Sequence, residues 1–474
     1  MCNQEMNKSI FKFILYIAWL QILLGINKVS AQNKTLYFMD LHPQSNLINP
    51  AWHADSSYFI FSPSVHSFVG NSSLTVNNLF TTKTIGSQSD LYWDFETIDK
   101  KLKDQNYLDA GVKMTPFYVG LKLKNNWYLN FSTSMNGISY FNYPGTISLI
   151  RFGNADIETN RPRVIDLNNY DYNELTYWEN SFGVSKKVNA KLSLGAHVKT
   201  LIGLSAIKTN HFFASVETSD DFSQSLMATD ISVNVSGEFF NADKVNNVFS
   251  TQKNFGKFLF GEKPFSFKNI GLAFDLGFSY QPNEKLELSG SILDIGLIDW
   301  GLEPQKLVSN DSYLFEGIYF SPYIVTEKDF SFNDYLEQYL DTITRTLIPE
   351  VENEKFTTWL YPKIYLGVGY QYSPKIKFNG LLNTVIYNDI FLINGTLGTN
   401  WLVNKKLALS GSISYSNYTL YNLGFGVSYK CDCMQVYFIT DNINAIDLRN
   451  SKSINFAVGL NILIWKKKNL DEII

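Results

Sequence analysis

The residues able to do chemistry are few and scattered. There are five histidines, His42, His53, His66, His197 and His211. None stands in an H-E-x-x-H pattern, and no G-x-S-x-G or P-loop occurs. No nucleophile and base are visible together, so no catalytic residue is assigned and an enzyme is not expected. Cys431 and Cys433 form a C-x-C in "YKCDCMQ" with no histidine nearby in sequence. A zinc site would lack ligands there, so no metal and no cofactor are expected. What remains is a set of charges on otherwise small, polar positions: Lys191, His197, Lys199, Asp275 and Asp294. If those positions face a water-filled interior, the charges either pair with one another and fill it, or line it and select solutes.

The elements that carry these residues show a period of two. In "IGLAFDLGFSY" (270–280), Ile270, Leu272, Phe274, Leu276, Phe278 and Tyr280 share one face. Gly271, Ala273, Asp275, Gly277 and Ser279 share the other. "KLSLGAHVK", "LALSGSISYS", "LGFGVSYK" and "NFAVGLNI" alternate in the same way. Strict alternation makes strands, because successive side chains point to opposite faces. Turn residues join them into hairpins at Asn125-Asn126, Asn189-Ala190, Pro282-Asn283 and Asn404-Lys405. In "SILDIGLIDWG" the apolar alternation slips between Ile292 and Leu293, which predicts a β-bulge able to bend the wall and open a lateral gap.

Alternation alone does not say which face is wet. A soluble sandwich puts the apolar face inside, and a membrane barrel puts it against lipid. Strand length suited to a tilted crossing, small polar faces, and aromatics near strand ends (Trp127, Tyr280, Tyr415, Tyr429, Trp465) favour the barrel. Aromatic residues make up 15% of the chain and charged residues only 18%, below the usual quarter or so. The expected fold is all-β: a transmembrane antiparallel up-and-down β-barrel of about 14 strands over 57–465. Long insertions lie near 239–268 and 302–356, and a tail follows at 466–474. Two helical patterns interrupt the strands, "WDFETIDKKLKDQ" and "SFNDYLEQYLDTITRTLI". They read as small helices in surface loops or as a lid over the mouth.

Residues 1–31 combine Lys8 and Lys12, an apolar run, and the small residues Ser30 and Ala31. This is a secretory signal peptide with cleavage after Ala31; an uncleaved anchor is the alternative. Its removal takes the net charge from −4 to −6. Apart from Lys466–Lys468 there is no basic run, which excludes nucleic acid as a partner. Residues 32–56 precede the first strand and contain "MDLHPQSNLINPAW". Gln44, Asn46 and Asn49 can both donate and accept hydrogen bonds, and Pro43 and Pro50 limit the chain's freedom. The segment is expected to plug the periplasmic half of the barrel, with Asn49, Pro50 and Ala51 against the inner wall.

"PQSNLINPAW", "SILDIGLIDWG" and "DNINAIDLRNSKSINFAVGLNILIW", in that order along the chain, resemble the DUF5723 family of Bacteroidetes outer-membrane barrels, a domain of unknown function. More distantly, that family is similar to the long-chain fatty-acid transporter (FadL) and to PorV-type barrels of type IX secretion. The resemblance implies about fourteen strands and an Asn-Pro-Ala tripeptide, here Asn49, Pro50 and Ala51, in a small plug inside the barrel. It implies an outer-membrane location, lipid as surroundings, and transport of small hydrophobic or amphipathic solutes. The alternative is an accessory or structural barrel of a secretion or surface assembly, working with partner proteins through its long loops.

Overall fold

The computed structural model describes residues 34–39, 42–52, 59–85, 88–146, 164–168, 170–218, 224–237, 267–310, 312–315, 350–387, 390–415, 422–431, 433–447 and 449–464. Fourteen antiparallel strands form the wall. They are β1 (Phe59–Phe61 and Ser64–Asn71), β2 (Gln105–Lys122), β3 (Trp127–Pro144), β4 (Asp171–Lys187), β5 (Leu192–Thr218), β6 (Ile270–Tyr280) and β7 (Leu286–Trp300). They continue as β8 (Lys363–Ser373), β9 (Ile376–Tyr387), β10 (Ile390–Leu402), β11 (Leu407–Tyr415), β12 (Asn422–Cys431), β13 (Met434–Thr440) and β14 (Ser453–Ile464). Each pairs with its neighbours, and β14 pairs with β1 (Phe61 opposite Ile462, Val65 opposite Val458), so the sheet closes on itself. Closure removes the edges, the only way a sheet satisfies its backbone in lipid.

The alternation decides the faces. Leu276 is 55% exposed on the outside, while its neighbour Asp275 is fully buried inside. The outward row of β6 (Leu272, Phe274, Leu276, Phe278) continues on β5, β8, β12 and β13. Eleven tilted residues, the length of β6 or β8, rise roughly 25–30 Å, the height of a bilayer's apolar band. Leu276 lies mid-strand. Leu276→Arg is therefore expected to destabilise the barrel in phospholipid vesicles by about 2–4 kcal/mol, read by denaturant titration.

The two ends differ. Six connections at one end are short, such as 188–191, 281–285 and 374–375. At the other end most connections are long, including 72–104, 145–170 and 301–362. Short turns face the periplasm in barrels of this type. The predicted turns are where the sequence placed them. Asn125 and Asn126 both have positive φ (59° and 61°), the backbone of a type I′ hairpin. Asn189, Asn283 and Asn404 share one device: each Oδ1 accepts the backbone N–H groups two and three residues on. Trp127, Tyr280, Tyr372, Trp401 and Tyr429 stand exposed near the short-turn end, and Tyr415 and Trp359 near the other.

The bulge is present. Phe274 faces Ile295 and Leu276 faces Ile292, so Leu293 and Asp294 together oppose Asp275. The wall stays paired on both sides of it, and Leu360 N donates to Gly296 O across the next seam (2.9 Å). Instead of a gap, the bulge turns Asp294 (φ 62°) into the lumen.

One wall position is composite. β5 pairs with β6 along its lower half (192–202) and with a separate strand, Gln224–Gly237, along its upper half (205–218). That strand also pairs with Gln305–Ser309. Asn269 joins the two levels: its side-chain oxygen accepts from Gly301 N and Leu302 N, and its amide donates to Gly203 O. The first predicted helix is α3, Phe95–Lys101, capped by Asp94 accepting from Thr97 N (3.0 Å); α1 is Lys34–Phe38 and α2 is Val76–Leu79. The second predicted helix, most of the 239–268 insertion, the first 31 residues and Trp465 with the tail fall outside the described residues.

Candidate functional site

The lumen holds the N-terminal segment. It begins near the long-loop end, where Lys34 N (3.2 Å) and Thr35 N (2.8 Å) donate to the Asp441 carboxylate. Thr35 Oγ1 meets Ser412 Oγ at 2.9 Å. The chain then descends along β10–β12, with Asn400 donating to the Phe38 carbonyl. Near the short-turn end the described chain resumes at His42 and forms a single helical turn, Pro43–Leu47, with proline at its start. His42 Nε2 sits 2.8 Å from Ser428 Oγ.

Gln44, Asn46 and Asn49 have no exposed surface, and Pro50 and Ala51 are buried beside them. Burial of an amide requires partners; the wall and the segment itself supply them for every group but Gln44 Oε1, which meets none among the described residues. Gln44 donates to Ser62 and to Asn461 Oδ1 (2.5 Å) on one side of the barrel. Asn49 donates to Phe278 O (3.1 Å) on the other side, while its own Oδ1 accepts from Ala51 N (3.0 Å). Asn46 donates to the carbonyls of Pro50 (3.1 Å) and Trp52 (2.7 Å), and its oxygen lies 3.1 Å from His197 Nε2. Ser291 donates to Ile48 O at 2.6 Å, and Trp52 Nε1 to Glu287 at 3.2 Å. Tyr37 stacks on Tyr365 (centroids 5.5 Å apart) and meets Trp52 edge-on. Asn46→Ala removes two donors and orphans the acceptors. It is expected to weaken the segment's seating by about 1–3 kcal/mol, read as faster chymotrypsin cleavage at Tyr37 and Trp52.

The inner wall is shaped to the segment. Gly195 on β5 and Gly277 on β6 face each other across the ladder. A methyl group at Gly195 would lie 2.1 Å from the Pro50 carbonyl oxygen; at Gly277 it would lie 2.2 Å from Asn49 Oδ1. Asn49-Pro50-Ala51 thus rests on a floor where only glycine leaves room. Each glycine is visible in the sequence as a small residue on a polar face. Their pairing is not, because it depends on register.

Above this floor lies a charge cluster. Lys199 Nζ is 2.8 Å from Asp275, 2.5 Å from Asp294 and 3.9 Å from Glu179. Lys363 pairs with Asp294 at 2.6 Å and Lys113 with Glu179 at 3.0 Å. His197 Nδ1 is 3.0 Å from Asp275, so this ring links the cluster to Asn46 of the segment. Asp294 N also donates to Asp275 Oδ1 (2.8 Å), locking the bulge. Four of the five charged residues singled out in the sequence therefore converge, and Lys191 does not. It is exposed in the 188–191 turn, one residue before β5 begins, so the alternating pattern reaches one residue too far there. Glu179, Lys113 and Lys363 were missed. Glu179 shares an inward face with Tyr177 and Ser181, two residues away on either side, which is a readable signal; which charges it meets is not.

A cavity of about 60 Å³ lies between the cluster and the segment, touching Leu47, Ile48, Lys113, Asp294 and Tyr365. A second, of about 290 Å³, opens at the short-turn end beside Met39, His42, Glu287 and Lys377. Among the described residues, no group of three or more His, Cys, Asp or Glu is placed to hold a metal ion. Cys431, the last residue of β12, and Cys433, just before β13, are both exposed.

Closure, an apolar outside, aromatic ends and a polar, chain-filled lumen define a β-barrel of the outer-membrane type. The chain belongs to the DUF5723 family of unknown function, whose profile matches residues 50–441. No curated protein matches it. Among solved structures it is similar to a FadL homologue of Pseudomonas aeruginosa at 9% identity, over 92% of this chain and 98% of that one, with a TM-score of 0.46. It is similar to the toluene transporter TbuX of Ralstonia pickettii at 10% identity, over 90% and 94%, with a TM-score of 0.41. The Pseudomonas putida toluene transporter TodX gives 10%, over 92% and 94%, with a TM-score of 0.37. The assignment of a closed barrel rests on the chain's own strand ladder.

Proposed function

We propose that the protein is a transporter of the outer membrane for small hydrophobic or amphipathic solutes, held shut by residues 32–56 acting as a plug. The observation that carries this reading is the run of side-chain bonds from the segment to opposite walls, Gln44 to Asn461 and Asn49 to Phe278. A filler held that way blocks an aqueous path until it shifts. The charges favour this solute class over ions. Lys113, Lys199 and Lys363 are matched by Glu179, Asp275 and Asp294, each within 4 Å of an opposite charge. A balanced cluster pins structure and offers no single-sign ring to attract an ion.

Export by a signal peptide cleaved after Ala31 belongs to the same reading. The test is single-channel conductance and liposome swelling, with and without residues 32–56. Low conductance in the mature chain and a several-fold rise on deletion are expected. A barrel that stays equally closed after deletion counts against a plug.

One observation favours a second reading, an accessory barrel of a secretion or surface assembly. β5 runs for 27 residues, far beyond what a bilayer needs, and raises one side of the wall past the membrane at the long-loop end. Loss of protein secretion with unchanged solute uptake in a deletion strain would select that reading.

A further inference from the structure

The direction of the N-terminal segment sets a condition on when it can enter. Lys34 and Thr35 are buried (2% and 0% exposed), and their partners lie far from the short-turn end. Ser414, 3.5 Å from Lys34 Nζ, is next to the last residue of β11, and Asp441 follows the end of β13. Ser414 lies seven positions along β11 from the short-turn end at Leu407, or roughly 18 Å along the barrel axis. The segment therefore runs from the long-loop side down to Met39 and His42 beside the short-turn mouth, turns up through Gln44–Ile48, and leaves past Trp52. Anything attached ahead of Lys34 starts on the long-loop side of the chain that fills the lumen. The cavity there, about 60 Å³, holds a few waters and no more.

A leader of the kind found at 1–31 cannot meet that condition. It would have to pass through the lumen and out of the far mouth, taking a run of apolar residues past the polar faces of β5–β7 and the charge cluster. We infer that residues 34–52 seat only after the chain has been cut between its apolar run and Lys34, so that proteolytic processing is the step that closes the barrel. Cleavage after Ala31 fits the window. It leaves two residues, Gln32 and Asn33, which span at most ~7 Å. The step is hydrolysis of one peptide bond by an endoprotease of the signal-peptidase class. One water is consumed, a carboxylate remains on Ala31, and a new α-ammonium appears on Gln32. That cation lies two residues from backbone N–H groups already held by the Asp441 carboxylate. The inference rests on the seating used in the proposed function and not on what the seated segment blocks.

Three chains refolded into lipid test it: 32–474, 1–474, and 32–474 carrying a 31-residue Gly/Ser extension. Lys34 is the only trypsin site in 32–52, so cutting at Lys34–Thr35 reports an unseated segment, read by mass spectrometry on barrels shown to be folded by heat-modifiable migration. The bond is expected to survive at least tenfold longer in 32–474 than in either extended chain. Equal protection in the extended chains overturns the inference. If 1–474 does not fold, the Gly/Ser chain decides. Conductance of the same samples separates the two proposals. A protected but freely conducting 32–474 overturns the closed-barrier reading alone, whereas rapid cutting of 32–474 overturns both.

Discussion

Lys199→Met is expected to lower the stability of the barrel in phospholipid by about 3–5 kcal/mol, the range for breaking a buried ion pair from one side. Lys199 is 3% exposed and, among the described residues, is the only lysine or arginine within 4 Å of Asp275. Without it, three lumenal carboxylates share Lys113, Lys363 and the His197 ring. Uncompensated charge in a dry lumen has nowhere to go, since the cavity beside it admits only a few waters. Methionine keeps the volume, so the loss reads as charge and not as a void. The check is equilibrium unfolding from vesicles, with a double-mutant cycle. Adding Asp275→Asn restores the balance of charge and keeps an oxygen for Asp294 N. The pair is expected to show a coupling of about 1–3 kcal/mol. Additive losses would mean that the cluster does not act as a unit.

Gly195→Val is expected to open the barrel while leaving it folded. The first carbon of the new side chain would meet the Pro50 carbonyl 2.1 Å away and Ala51 N at 2.6 Å. Those are backbone atoms, so no side-chain rotation relieves the clash. The segment has to leave its floor. Its hydrogen bonds to Phe278, His197 and Asn461 go with it, each worth about 0.5–1.5 kcal/mol net. The wall itself tolerates the change, because valine suits a strand and Gly195 pairs within an intact ladder with Ser185 and Gly277. Single-channel conductance is expected to approach that of the chain lacking 32–56. A closed, fully folded variant would show that the segment does not occlude the lumen. Gly411, where a methyl group meets nothing within 4 Å, provides the control: Gly411→Val is expected to leave conductance unchanged.

Much of this molecule is legible along the chain, and the reason is local. Alternation reports faces without reference to neighbours, so Leu276 and Asp275 on opposite faces follow from position alone, and strand length, small polar faces and aromatic ends put Leu276 outside. An asparagine turn is satisfied within four residues, as at Asn189, Asn283 and Asn404. The slip at Ile292–Leu293 likewise marks the bulge, because an extra residue shifts the period of two. Its consequence is different from the expected gap: Asp294 takes a left-handed backbone, turns inward and captures two lysines.

What the sequence determined by itself is the set of strands, their two faces, their turns, and an N-terminal segment of amides belonging to no strand. These depend on residues a few positions apart, whose geometry the backbone fixes. The tertiary structure decided everything that depends on register and closure. It set Gly195 opposite Gly277, brought Lys113 and Glu179 within 3.0 Å across three strands, left Lys191 out in its turn, and stacked Gln224–Gly237 above β6 in one place in the wall. A strand slid by two residues keeps the same faces and the same pattern but gives different partners. Only the closing of the ring between β14 and β1 selects one register for all fourteen strands together.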